Sequence, residues 1–360
     1  MPTFKDIIGQ VHIKRHMQRA VAENRVSHAW LLAGEAQMGK ELLARTFTQA
    51  LLCENLREKR KRGELQNPLA AEPCCACASC RKVMSDAHPD VRVVTHEKPT
   101  SVRVEEIEDQ LVDDAYLTAY ASDRKIYIVP DAQMMTAEAQ NKLLKTLEEP
   151  PSYVTILLLS TGLQALLPTI RSRCLPFTLR PVEHDTLVRF LREKAGASEY
   201  RANLAAGFAR GNPGLALSLA RDARFETRTR GAIQLMEHLQ DTGLHEIEER
   251  IEDILSEAEE EQIAREELFD IVRDLIRDIL VYKATERKEH LILRDRWEYI
   301  RDVAAHTAYD KLIETDRALN RARSRIRANV NAQLSTDLFL LSARENLSRS
   351  SYAANLTKGF

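Results

Sequence analysis

The feature that most constrains the fold is an alternation of short apolar segments with amphipathic ones over the first 180 residues. This alternation is typical of a parallel sheet with helices on both faces, so we expect an α/β domain here. The predicted strands are Ala29–Leu32, Val91–Thr95, Ile126–Val129, Val154–Leu159 and Cys174–Leu179. The predicted helices are Lys40–Cys53, Val104–Ala119 and Gln133–Leu147, and the last stops before Pro150-Pro151 because proline cannot continue a helix.

The remainder of the chain is predicted to be helical. Residues 181–224 contain an Asn212-Pro213-Gly214 turn and no convincing strand, which indicates a small, lid-sized helical domain. From residue 225 to 360 apolar residues recur at three- and four-residue spacing, as in Leu268–Tyr282, and this favours a helical bundle. We therefore predict three domains with boundaries near residues 180 and 224.

The charge balance excludes a protein that binds nucleic acid through its overall field. Lys and Arg number 52 against 54 Asp and Glu, which leaves a net charge of −2. Any contact with DNA must then be local or shared with partners. Two charged runs stand out, an acidic one over His245–Asp270 and an arginine-rich one over Arg317–Arg327, and a solvated helix face is the plain interpretation of both. No apolar run is long enough to span a membrane, and we expect a cytoplasmic protein.

A phosphate-binding loop is indicated directly after the first predicted strand. Gly34 to Lys40 matches the pattern G-x-x-x-x-G-K, in which backbone amides and the lysine neutralise phosphate oxygens. The pattern normally continues with Ser or Thr, whose hydroxyl binds magnesium. This chain has Glu41 there, and a longer, anionic side chain cannot reproduce that hydroxyl.

The second half of a nucleotide site is also incomplete. An acid pair at the end of a buried strand usually holds the metal and polarises the attacking water. Here the strand ending at Pro130 is followed by Asp131 and Ala132, so the water-orienting acid is missing. Asp131 and Ala132 form a degenerate nucleotide site together with the loop residues Gly34, Gly39, Lys40 and Glu41. We do not expect this site to hydrolyse ATP. Whether the site still binds nucleotide or is kept only as packing stays open.

Four of the six cysteines lie between residues 74 and 80 and suggest a structural zinc site. Cys74, Cys77 and Cys80 form the pattern C-x-x-C-x-x-C, and Cys53 would complete a set of four thiolates. Cys75 is an alternative to Cys74. The basic run Arg57–Arg62 between these cysteines is predicted to be a solvated loop, with phosphate contact as the weaker alternative. In a reducing compartment such spacing favours Zn²⁺ over disulfides.

The order of these motifs resembles the clamp-loader branch of the AAA+ superfamily, as found in bacterial DNA polymerase III. The resemblance covers nearly the whole chain, and its most specific part is the segment NKLLKTLEEPP. Its carriers are Ile7–Gln10, Ser27–Ala29, Gly34–Lys40, the cysteine module 53–80, Asn141–Pro151 and Ser172-Arg173-Cys174.

The resemblance implies an AAA+ α/β domain with an inserted zinc module, a helical lid and an all-α collar domain. It implies a non-motor subunit that helps to load the sliding clamp onto primed DNA during replication, within the DNA polymerase III holoenzyme. Arg173 would then be an arginine finger, inserted in trans into the ATP site of a neighbouring ATPase subunit. The implied partners are the motor (gamma and tau) subunits, the delta subunit, the sliding clamp and primer-template DNA.

The chain also departs from the family pattern. Motor subunits carry Ser or Thr at the loop and an acid pair after the strand, where this chain has Glu41 and Ala132. The lid of motor subunits supplies a nucleotide-sensing arginine, and this chain has no arginine after the corresponding Gly211–Leu217 turn. In the family about eight residues usually separate the first two zinc cysteines, whereas twenty residues separate Cys53 from Cys74 here. The alternatives are an ATP-hydrolysing motor subunit of the same family and a zinc-bearing DNA-binding module.

Overall fold

The computed structural model describes residues 2–98, 100–255, 261–328 and 330–348. The chain divides into two compact units. The first comprises Met1–Phe190 with Arg210–Leu215, and the second comprises Leu191–Ala209 with Ala216–Phe360. The boundaries near residues 180 and 224 drawn from the sequence remain a prediction. Residues 256–260 of the acidic run lie outside the described residues.

A five-stranded parallel sheet forms the centre of the first unit. Its strands are β1 (Ala29–Ala33), β2 (Val91–Val93), β3 (Lys125–Val129), β4 (Val154–Ser160) and β5 (Leu175–Thr178). They are arranged in the order β2-β3-β4-β1-β5. Because β4 lies between β1 and β3, the segments that follow β1 and β3 leave the same edge of the sheet on either side of β4. Ligands of open α/β sheets bind at this carboxyl edge.

Helices pack on both faces of the sheet, as the alternating sequence pattern predicts. All residues of β1, β3 and β4 are buried, and each strand therefore contributes to an apolar cluster on either face. The helices up to β5 are α1 (Val11–Glu23), α2 (Lys40–Leu52), α3 (Glu54–Lys61), α4 (Ala78–Met84), α5 (Val104–Ile107), α6 (Asp113–Ala115), α7 (Ala137–Glu148) and α8 (Pro168–Arg171). The predicted parallel α/β fold is thus confirmed.

Three local predictions differ from the structure. The helix expected over Val104–Ala119 is interrupted by a π-helical turn at Glu108–Val112 and ends at Ala115. The helix expected from Gln133 begins at Ala137, because the Thr136 side chain accepts a hydrogen bond from the amide of Ala139 and caps it there. The loop expected over Arg57–Arg62 is wrong, since helix α3 occupies most of it.

The described residues that follow the sheet are helical, as predicted. The helices are α9 (His184–Ala195), α10 (Glu199–Ala209), α11 (Pro213–Arg221), α12 (Phe225–Glu237), α13 (Leu244–Leu255), α14 (Glu261–Thr285), α15 (Trp297–His306), α16 (Tyr309–Arg327) and α17 (Ala332–Asn346). In the second unit α14 buries an apolar face that includes Phe269, which meets Phe339 of α17 edge to face. None of the helices in the described part of the chain combines the length and apolar character that crossing a membrane requires.

Candidate functional site

The phosphate-loop sequence lies between β1 and α2, where its pattern predicts it. Gly39 has a φ of +90° and allows the turn that starts α2 at Lys40. The Lys40 Nζ donates to the carbonyl oxygens of Gly34 and Glu35, at 2.6 and 2.7 Å. Burial lowers the pKa of Lys40, and the nearby carboxylates of Asp131 and Glu35 oppose that shift. The lysine is therefore folded back onto its own loop.

Glu41 occupies the position where the loop pattern has a hydroxyl, and it is engaged elsewhere. Arg45 Nε, one turn further along α2, donates to Glu41 Oε1 at 2.7 Å, while Arg45 Nη1 lies 2.5 Å from Asp86 Oδ1. The Glu41 carboxylate is thus paired along the surface of the helix.

The end of β3 lies at the same edge of the sheet as the phosphate loop, and β4 separates the two. Asp131 adopts a left-handed conformation with a φ of +49° and accepts a hydrogen bond from Gln133 Nε2. Gln133 Oε1 in turn accepts from the amide of Thr161, just after β4. Ala132 is fully buried in the apolar cluster beneath the sheet. The position after Asp131 therefore contributes to packing.

A turn far along the chain contacts the phosphate loop, and sequence reasoning did not anticipate it. Asn212 Nδ2 donates to the carbonyl oxygen of Ala36 at 2.8 Å. The amide of Gly214 donates to the carbonyl oxygen of Gln37 at 3.1 Å. A Cβ atom at Gly214 would lie 2.3 Å from the Gln37 oxygen, so only glycine permits this approach. The glycines flanking Asn212-Pro213 were the available signal.

The four predicted cysteines come together in the structure. The sulfurs of Cys53, Cys74, Cys77 and Cys80 all lie within 4.8 Å of one another, and those of Cys74 and Cys80 are 3.9 Å apart. Four sulfurs held tetrahedrally about 2.3 Å from Zn²⁺ would be about 3.8 Å apart. The cluster therefore has the size and donor set that a structural zinc ion requires.

Backbone amides support the sulfurs. The amide of Cys74 donates to Cys53 Sγ, that of Cys77 to Cys74 Sγ and that of Cys80 to Cys77 Sγ, at 3.3 to 3.5 Å. A hydrogen bond from the Cys80 thiol lowers the pKa of Cys53 to about 5, and the same pairing raises the pKa of Cys80. Backbone N–H donors orient metal ligands and favour the thiolate form of the sulfurs that accept from them.

Cys75 is adjacent to the cluster but is not part of it. Its sulfur contacts Gln49 Nε2 and the carbonyl of Pro73, and its backbone has a φ of +57°. Of the two alternatives that the sequence leaves open, the structure places the sulfur of Cys74 with the other three. The long spacing after Cys53 is accommodated by α3 and a 3₁₀ turn at Pro68–Ala70, after which the chain returns at Cys74.

Arg173 lies in the turn between α8 and β5. Its Nη2 is 2.7 Å from Glu148 Oε1, and its Nη1 donates to the carbonyl of Thr169 at 3.0 Å. About a third of the Arg173 side chain is exposed. Cys174 beside it is buried, and burial raises the pKa of its thiol to about 12. Arg173 is accordingly the residue of this tripeptide that presents a cation at the surface.

Comparison with known proteins gives a family match over the α/β region. The family model described as DNA polymerase III, delta subunit, matches residues 9–183. DNA polymerase III subunit delta' of Bacillus subtilis is 27% identical over 90% of this chain and 93% of its own length. DNA polymerase III subunit gamma of Buchnera aphidicola (strain APS) is 32% identical over 61% of this chain and 58% of its own length.

Coverage differs between these relatives. The chain spans about half of the gamma subunits that it matches, 46 to 58% of three from Buchnera aphidicola, and 33% of the tau subunit of Escherichia coli. A solved structure of a gamma subunit-related protein from Thermotoga maritima aligns with 93% of this chain at 19% identity and a TM-score of 0.46.

Proposed function

Because the chain belongs to the clamp-loader family of AAA+ proteins, we propose that it is a delta-prime-type, non-motor subunit of the DNA polymerase III clamp loader. In this role it helps to load the sliding clamp onto primed DNA and does not hydrolyse ATP itself. Its partners are motor (gamma and tau) subunits and a delta subunit, and it meets the clamp and the primer-template through the assembled complex.

The ion pair between Glu41 and Arg45 is the observation that carries the proposal. Magnesium bound at a phosphate loop needs a hydroxyl at this position, and the side chain present is a carboxylate that is neutralised by Arg45. Ala132 offers no group that could orient an attacking water. A chain that lacks both functions contributes to ATP turnover only through another subunit's site.

Arg173 is the group we assign to that contribution. A guanidinium presents a planar fork of donors that suits phosphate oxygens. Arg173 is partly exposed, and its acidic partner is the surface residue Glu148, so it can leave that partner for a neighbouring phosphate. An arginine supplied in trans increases phosphoryl transfer by about 10³- to 10⁵-fold.

We further propose that Cys53, Cys74, Cys77 and Cys80 hold one structural Zn²⁺. Four thiolates leave no open coordination position, so the metal would hold α2, α3 and α4 together and would take no part in chemistry. The cysteines themselves come from the end of α2, the return of the inserted segment and the start of α4.

A motor subunit of the same family is the second candidate. The retained Lys40 and the 32% identity to gamma and tau subunits favour it. If the chain is a motor subunit, the purified protein must hydrolyse ATP at a rate that depends on Lys40. The contacts of Glu41 and the burial of Ala132 argue against this.

Reconstitution tests the proposed role. The purified chain is mixed with motor, delta and clamp subunits, and ATP turnover is measured with and without primed DNA. We expect Arg173→Ala to lower turnover strongly, while Arg19→Ala, which removes an exposed arginine of α1 paired with Glu23, leaves it unchanged. Equal turnover with both variants would exclude the finger role of Arg173.

A further inference from the structure

The helices α16 and α17 form an antiparallel hairpin in the second unit. Only four residues separate the two helices in sequence. Lys311 Nζ, near the start of α16, donates to Asn346 Oδ1, near the end of α17, at 3.3 Å. Because both helices rise by the same amount per residue, residues 317–325 of α16 lie beside residues 332–340 of α17.

One side of the hairpin packs against α14. Arg323 Nη1 of α16 lies 2.8 Å from Asp270 Oδ1 of α14, and Phe339 of α17 meets Phe269 of α14 edge to face. The side of the hairpin that is turned away from these contacts is called the outer face below. It is formed by three arginines of α16 and three leucines of α17.

The arginines of the outer face are Arg317, Arg321 and Arg325. All three are exposed and recur every four residues, so they form one stripe about 12 Å long. Arg325 lies about four helical turns after Lys311 and is therefore on the side of α16 that faces α17. None of the three has an acidic partner within the described part of the chain, whereas Arg323 is paired with α14.

The leucines of the outer face are Leu334, Leu338 and Leu341, which are 54%, 46% and 41% exposed. Their spacing of four and three residues places them on one side of α17. The opposite side of the helix buries Phe339 and Leu340. Helix α17 is thus apolar on two sides, and an exposed apolar stripe beside charged residues is typical of an interaction site.

The combination of the two stripes distinguishes between classes of ligand. A nucleic-acid backbone needs cations and gains nothing from a row of leucines. Insertion into a membrane surface needs apolar side chains that project freely, and these leucines are about half buried in their own hairpin. A protein helix with an apolar face and an acidic edge matches both stripes, since such helices bind through residues spaced three or four apart.

Two segments of the chain itself match the outer face poorly. The acidic helix α13 buries its apolar residues Ile247 and Ile251, so a second copy of the chain does not offer them to the leucines. Residues 349–360, which follow α17, contain no Asp or Glu that could pair with the arginines. Charge complementarity therefore favours a helix from a different protein.

We propose that the outer face of the α16–α17 hairpin binds an acidic amphipathic helix of a second protein. The apolar side of that helix lies on the three leucines of α17, and its Asp or Glu side chains pair with the three arginines of α16. The leucines supply apolar contact area, and the arginines fix the direction and register of the bound helix. The proposal does not depend on the clamp-loading function.

Binding of designed helical peptides to the full-length chain tests the proposal. The acidic peptide is labelled with fluorescein and carries leucines four and three residues apart with glutamates along one edge of that stripe. A basic peptide has lysine in place of each glutamate, and a scrambled peptide has the acidic composition without the stripe. Fluorescence anisotropy should show that the acidic peptide binds at least about tenfold more tightly than the other two.

Reversing the charge of the arginine stripe gives the sharpest result. The variant Arg317→Glu/Arg321→Glu/Arg325→Glu should lose the acidic peptide and bind the basic one. A misfolded chain would not exchange one peptide for the other, so this readout separates the loss of an ion pair from the loss of structure. If the triple variant does not fold, Arg321→Glu replaces it, and unchanged affinity for the acidic peptide would refute the proposal.

The leucine stripe is tested separately. The variant Leu334→Gln/Leu338→Gln/Leu341→Gln keeps the helix propensity and removes the apolar contact. It should weaken binding of the acidic peptide by about tenfold, with the thermal unfolding temperature retained because these side chains are exposed. Unchanged affinity in this variant would contradict the proposed mode of binding.

A matched control changes the same charge on another helix. Arg57→Glu/Lys59→Glu/Lys61→Glu alters α3, which lies in the first unit. This variant should bind the acidic peptide as the unaltered chain does. An equal loss in both charge variants would reduce the effect to net charge and overturn the proposal.

Other results would also overturn it. One is the absence of binding of the acidic peptide to the unaltered chain. Displacement of that peptide by anionic phospholipid vesicles or by DNA would assign the outer face to the displacing class. Self-association in sedimentation velocity that disappears in the leucine variant would assign it to a second copy. None of these results bears on Arg173, so the two proposals fail separately.

Discussion

Arg173 and Glu148 form an ion pair in which Nη2 lies 2.7 Å from Oε1. The pair joins the turn before β5 to the last residue of α7, two segments that are 25 residues apart in sequence. Both side chains are partly exposed, which keeps the energetic cost of separating them small. The guanidinium is therefore held in place by a partner that a phosphate can replace.

The first prediction concerns Glu148→Gln. In the isolated chain the unfolding free energy should change by less than about 1 kcal/mol, because exposed ion pairs contribute little. In the reconstituted complex a smaller concentration of the variant should give half-maximal ATP turnover, since no carboxylate competes for Arg173. A higher required concentration would instead make Glu148 a residue that positions the arginine.

A second prediction concerns Arg173→Lys. Lysine keeps the positive charge but has no planar fork of donors. We expect ATP turnover of the reconstituted complex to fall nearly as far as with Arg173→Ala, with zinc content unchanged. Full activity of the lysine variant would mean that charge alone suffices at this position.

The cysteine cluster leads to a third prediction. Elemental analysis should find about one zinc per chain, and Cys77→Ser/Cys80→Ser should lose it and melt at a lower temperature. Cys75→Ser is the matched control, because its sulfur lies outside the cluster, and it should retain the metal. Full zinc content in the double variant would disprove the proposed ligands.

The fourth prediction concerns the chain's own phosphate loop. Lys40→Ala should leave ATP turnover of the reconstituted complex unchanged, because the proposed function places hydrolysis in neighbouring subunits. The same variant made in the motor subunits provides the positive control. Hydrolysis by the purified chain that disappears with Lys40→Ala would favour the motor-subunit alternative.

Local sequence patterns were sufficient for the α/β architecture. The buried strands are continuous apolar runs, and each of β1, β3 and β4 begins and ends within one residue of its predicted bounds. Prolines and glycines mark the turns at Pro150 and Gly39. Helix α3 was missed because its sequence has one buried apolar residue, Leu56, and helical periodicity cannot be read from one position.

The sequence by itself determined which chemical groups are present: Glu41 and Ala132 in place of a hydroxyl and an acid, four cysteines with zinc-like spacing, and Arg173 after a short helix. These are properties of residue type and spacing. Only the tertiary structure decided that Cys74 and not Cys75 joins the cluster, that Glu41 pairs with Arg45, and that Glu148 holds Arg173. The reason is that such contacts depend on side-chain direction and on how segments pack, and a linear pattern specifies neither.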